Sequence, residues 1–160
     1  MIQPEEICKA VPLVIELHRH RAENEEVGKI HWSHITEEKH ERFLIEYLPE
    51  LAKRGEAFIV IMEIDDRPIA AQIFLCFDNV LTFYYSGFRT AWHPYSPLFI
   101  VTTEVIKWAI ERGIRGINFL PNDELWKSRW GRLFTVASID AVLLVSLPIR
   151  STVSHELCFT

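Results

Sequence analysis

Cysteine is scarce: Cys8, Cys76 and Cys158 are odd in number and far apart, and no two form a CxxC pair. That excludes a disulfide framework and a zinc ribbon, and it fits a reducing, cytoplasmic setting. No run of residues approaches the ~18 uncharged positions that a membrane span needs. The opening Met1-Ile2-Gln3-Pro4-Glu5-Glu6 is acidic, without the basic and then apolar stretch of a signal peptide. Excess basic charge is missing as well. The net charge is -5, whereas a surface that tracks nucleic-acid phosphates is clearly basic, so DNA is not an expected partner. Residues 115–132 carry four basic side chains against two acidic, enough for a small phosphorylated ligand and too few for a duplex. His18 and His20, two residues apart, face away from each other on a helix, and His31 and His34 lack a third ligand, so no metal is expected. No Ser-His-Asp or Cys-His arrangement stands out, which suits a direct transfer without a covalent enzyme intermediate. Repeats, low-complexity stretches and Pro/Gly/Ser linkers are absent.

What remains is an ordinary globular composition, with 49% hydrophobic and 24% charged residues over 160 positions. It reads as one α/β (α+β) domain over 1–160, with a polar tail from about 148. Ile7, Val11, Val14, Ile15 and His18 recur at helical spacing, with Pro12 expected to kink or delay that helix. Residues 23–33 read as a connection. Thr36 is a candidate N-cap for a second helix, whose apolar face is Phe43, Leu44, Tyr47, Leu48 and Leu51 and whose end is Lys53-Arg54-Gly55. The period then changes to two. Residues 57–64, 69–77 and 80–87 are rich in β-branched and aromatic side chains, and turn signals at Asp65-Asp66-Arg67-Pro68 and Asp78-Asn79 separate them. Connections this short predict an antiparallel meander. Ser96 as N-cap, Pro97 at the first position and Gly113 past the last turn delimit a third helix, buried through Leu98, Val101, Val105, Trp108 and Ala109. A short strand over 115–120, a short helix from Asn122 to near Trp130, and a β region over 133–145 with a turn near Ser138-Ile139-Asp140 complete the reading.

That order of elements resembles the GNAT fold, in which acyl-CoA lies where two neighbouring strands splay apart. The residues tighten the resemblance: Ala70-Ala71-Gln72 after Arg67-Pro68, Tyr84-Tyr85-Ser86-Gly87-Phe88, Tyr95-Ser96-Pro97, Ile117-Asn118-Phe119-Leu120, and the run Asp123-Glu124-Leu125-Trp126-Lys127-Ser128-Arg129-Trp130-Gly131. Over about residues 7–146 the chain is similar to the bacterial acetyltransferase-like domains named after cellulose-biosynthesis proteins, relatives of the Fem-type aminoacyl transferases. The resemblance implies a mixed, mostly antiparallel sheet flanked by helices. It also implies an N-acyltransferase using acetyl-CoA or another acyl-CoA, without metal, on a small-molecule or cell-envelope amine. Members often carry two such domains, which leaves room for a homodimer or a second domain. The chain departs from the pattern in lacking the glycine-rich pyrophosphate loop. His93-Pro94-Tyr95-Ser96-Pro97-Leu98 stands there instead, and Leu98 is expected to crowd a phosphate. Asn118 and Asn122 stand where the branch favours Asp and Gly. These departures support an alternative, a GNAT-fold binding or regulatory domain without catalysis; a Fem-like aminoacyl transferase is another, which the acidic charge disfavours.

The expected donor site is Ser96, Pro97, Leu98 and Phe99 at the helix N-terminus, with Arg129. Tyr85 and Tyr95 are rival general acids for the leaving thiolate; Tyr84 and Tyr85 are expected on opposite faces of their strand, so only one faces the cleft. Lys127 is expected either to hold a phosphate or carboxylate or to pair with Asp123 one turn away. Asp123 is the residue expected to orient the amine.

Overall fold

The computed structural model describes residues 6–22, 38–120, 127–130 and 144–146. Residues expected to act elsewhere, among them Thr36, Asn122, Asp123 and the turn near Ser138, lie outside them. Two helices precede the sheet. Helix α1 runs Ile7–Ala22 and α2 runs Glu38–Lys53. Pro12 neither delays nor ends α1. It lies on the exposed side of a helix whose other side buries Ile7, Ala10, Val11, Val14, Ile15 and Leu17, and burial on that scale outweighs the ~3 kcal/mol an interior proline costs. In α2 the core stripe is narrower than expected. Leu44, Leu48, Leu51 and Ala52 are buried, while Phe43 and Tyr47 stay exposed and stack on each other at 5.1 Å.

Strands β1 (Ala57–Ile64), β2 (Arg67–Phe77) and β3 (Val80–Phe88) form the expected antiparallel meander. Both turns place two consecutive residues at positive φ: Asp65 and Asp66 at 50° and 58°, Asp78 and Asn79 at 48° and 60°. That is the two-residue hairpin geometry whose twist matches the strands it joins, and Asp and Asn tolerate it best after glycine. Helix α3 (Pro97–Glu111) then crosses to β4 (Gly116–Asn118), which lies parallel to β3, as a helical crossover allows. Strand β5 (Leu144–Ser146) pairs antiparallel with β4, giving the sheet order β1-β2-β3-β4-β5.

The sheet separates two cores. Alternation along β2 sends Ala71 and Ile73 towards α1 and α2, and Ala70, Phe74 and Cys76 towards α3. The approach of α1 to β3 is very close at Gly87, where a Cβ would fall 2.2 Å from the His18 nitrogen and 2.3 Å from the Leu17 carbonyl carbon. Only glycine lets the helix backbone rest directly on the strand. Among the described residues, no helix is long and apolar enough to cross a membrane.

Candidate functional site

Two neighbouring strands part company in the middle of the sheet. β3 pairs with β4 over three positions only, Val80 with Gly116, Leu81 with Ile117 and Thr82 with Asn118. Beyond Phe83, β3 has no strand on that side among the described residues. The end of β4 is fixed by its own side chains. The Phe119 ring packs on Phe83 at 4.5 Å, and Leu120, at φ 61°, donates its amide to the Asn118 side chain at 2.8 Å. A short 3-10 turn, Lys127–Trp130, stands beside the first turn of α3, with Trp130 5.0 Å from Phe99.

The part of β3 beyond its pairing with β4 is not a regular strand. The register from Gln72–Ser86 to Phe74–Phe83 advances two residues on β2 and three on β3. Tyr84 and Tyr85 therefore share one place in the ladder, a β-bulge that leaves a residue's backbone groups outside the pairing. This corrects the expectation that they face opposite ways. Both pack on the α1/α2 side, with rings 4.4 Å apart, because the extra residue breaks the period-two count. Burial, with the neighbouring Tyr84 as a smaller cause, pushes the Tyr85 phenol above its ordinary pKa, so it stays protonated at neutral pH.

Helix α1 supplies residues to this edge that the sequence reading did not assign to it. The Arg89 amide donates to Ile69 on β2 at 2.8 Å, so by alternation the backbone groups of Ser86 and Phe88 face the open side. There His18 Nδ1 donates to the Ser86 carbonyl at 2.8 Å, and Arg21 donates to Ser86 Oγ at 3.2 Å while its guanidinium lies 5.7 Å from the Phe88 ring centre. The signal in the sequence was Gly87, which fixes where α1 touches β3. On α1's outer side a groove of about 380 Å³ runs along Pro12, Ile15, Glu16, Arg19, His20, Glu41 and Ile45. Its carboxylates are committed, Glu16 to Arg89 and Glu41 to Arg19.

The residues expected to hold a donor are partly rearranged. Ser96 starts α3 as expected, but in the left-handed conformation (φ 50°, ψ 55°) and without a side-chain cap bond. Pro97 has no N–H, and the amides of Phe99 and Ile100 both donate to the Ser96 carbonyl, leaving the Leu98 amide to the first turn. The Leu98 side chain is half-buried against the α3-side core, so it turns inward instead of crowding the helix end. Tyr95 is 68% exposed beside Trp92. Lys127 is not a surface lysine. It is 5% exposed and donates to the Leu120 carbonyl at 3.2 Å, where it steadies the chain just beyond β4. Asp123 and the Arg129 side chain lie outside the described residues.

Residues 3–128 match the family described as Acetyltransferase (GNAT) domain. No curated protein matches the chain in sequence. Among solved structures, the PaiA N-acetyltransferase of Thermoplasma acidophilum, in complex with coenzyme A, superposes with a TM-score of 0.61 at 10% identity, covering 91% of this chain and 96% of that one. The ribosomal-protein-S18-alanine N-acetyltransferase of Escherichia coli gives a TM-score of 0.58 at 11% identity, covering 91% and 94%. At such identities the likeness is one of fold.

Proposed function

Since the chain belongs to the GNAT acetyltransferase-domain family, we propose that it is an acyl-CoA-dependent N-acyltransferase that passes an acyl group, acetyl above all, to an amine by direct transfer. The observation that carries this reading is the three-pair junction of β3 with β4, followed by a bulged strand edge open to a ligand. The free-base amine nitrogen attacks the thioester carbon and loses a proton to solvent, the C–S bond breaks, and the departing thiolate takes a proton to leave as a thiol. The chain's part is to hold both partners in line, which supplies most of the rate enhancement. A backbone N–H of the open β3 edge is the donor for the developing oxyanion. Tyr85, protonated at neutral pH, or Tyr95 donates a proton to the sulfur and is reprotonated from solvent. The donor pyrophosphate lies near Ser96, Pro97, Leu98 and Phe99 with Arg129 alongside, and Asp123 orients the amine. The domain works in the cytoplasm on a small-molecule or cell-envelope amine. A homodimer or a second such domain is its expected company.

Calorimetry with acetyl-CoA and CoA, followed by thiol release over a panel of amines, tests this. Micromolar donor binding and amine-dependent thiol release are expected; no binding at millimolar concentration overturns it. One observation favours a second reading, a binding or regulatory domain without catalysis. The first turn of α3 has few amides left for a pyrophosphate. Donor binding without turnover on any amine would select it.

A further inference from the structure

Gln72 sits in the middle of β2, 7% exposed. Alternation places it with Ala70 and Phe74 on the face that α3 covers. Its side-chain carbonyl oxygen, Oε1, is buried and has no hydrogen-bond partner among the described residues. A buried amide left unsatisfied is costly, and such groups in a folded protein call for an explanation. The neighbours of Gln72 on this face among the described residues include the apolar Val60, Ala70 and Phe74, which offer the oxygen no side-chain donor. Its cross-strand partner is Ser86, the residue whose carbonyl and hydroxyl mark the open edge of β3. Paired positions lie roughly 5 Å apart, and serine is short enough to leave the space above it to a longer neighbour.

We propose that Gln72 is a donor-binding residue: its carboxamide oxygen accepts a hydrogen bond from a secondary amide N–H of the acyl-CoA's pantetheine arm as that arm lies along β3. This rests on the acyl-CoA reading above. The chemistry suits it, because a carboxamide and a secondary amide each present a donor and an acceptor. It also gives β2, a strand that does not border the gap, a direct part in recognition. The group is held ready at a standing cost to the unliganded protein and is satisfied only on binding.

The test compares the wild-type chain with Gln72→Met, an apolar side chain of similar length, by calorimetry with acetyl-CoA and with pantetheine and by thermal unfolding without ligand. The expected result pairs two opposite effects. The substitution leaves the melting temperature of the free protein unchanged or raised, and weakens both ligands about tenfold, the factor one such bond is worth. Equal affinity in Gln72→Met and wild type overturns the inference and leaves the acyl-CoA reading standing. A lower melting temperature with unchanged affinity also overturns it, since Gln72 would then serve the fold. Failure of the wild type itself to bind either ligand overturns the acyl-CoA reading instead.

Discussion

Gly87 carries the sharpest constraint on a single residue. A methyl group there would enter the backbone of α1 at 2.2 Å, and backbone cannot swing aside as a long side chain can. Gly87→Ala is expected to destabilise by about 3 kcal/mol, the upper part of the overpacking range, read as a lower urea midpoint. It also moves His18 and Arg21 off the Ser86 edge, so donor affinity falls with it. Lys127 makes the opposite point about exposure. A lysine one turn from an aspartate reads as a surface ion pair, worth less than ~1 kcal/mol, yet its ammonium is inside, on the Leu120 carbonyl. Lys127→Ala is therefore expected to cost about 1–3 kcal/mol in unfolding free energy. The sequence marked Lys127 as a candidate binding residue, but not its burial, because charged residues are seldom buried. Gln72 was hidden because glutamine, though uncharged, is also mostly exposed.

Individual elements were legible where local chemistry decides them. The hairpin turns declared themselves through Asp65-Asp66 and Asp78-Asn79, and α3 through Pro97 and Gly113. The bulge at Tyr84-Tyr85 did not, because an inserted residue shows only when the partner strand's register is known. That single slip hid which face both tyrosines take. The two turns also differ in what else they do. Asp66 holds φ 58° with no bond across the fold among the described residues, whereas Asn79 Nδ2 donates to the Gly113 carbonyl at 3.0 Å and the Asn79 carbonyl accepts from the Arg115 amide at 2.9 Å. Asp66→Gly is expected to stabilise by up to about 1 kcal/mol by relieving the left-handed backbone. Asn79→Gly is expected to gain nothing, because it forfeits the bond to Gly113. Thermal unfolding of the two variants side by side checks the contrast.

Across the described residues, helices flank both faces of a central sheet, and β3 runs on past its three-residue pairing with β4. Order of elements and short connections made the architecture readable; the narrowness of the β3–β4 junction was not, since pairing length depends on where distant strands diverge. A ligand that binds only the folded chain raises its stability by mass action, so acetyl-CoA at a hundred dissociation constants is expected to add about 2.7 kcal/mol. Denaturant titration with and without the ligand measures it.

The junction of β3 and β4 is tied by hydrogen bonds at its Asn79 end and by ring packing, Phe119 on Phe83, at the other. Asn79 ties the β2–β3 turn to Gly113 and Arg115, three residue pairs follow, and then the strands separate. Two bars joined this way behave like a pair of tongs: a small rotation at the pivot becomes a larger displacement at the tips. Asn79 sits at the pivot, on the surface and away from the point of separation, so Asn79→Ala is expected to alter donor affinity by calorimetry although it touches no donor-site residue.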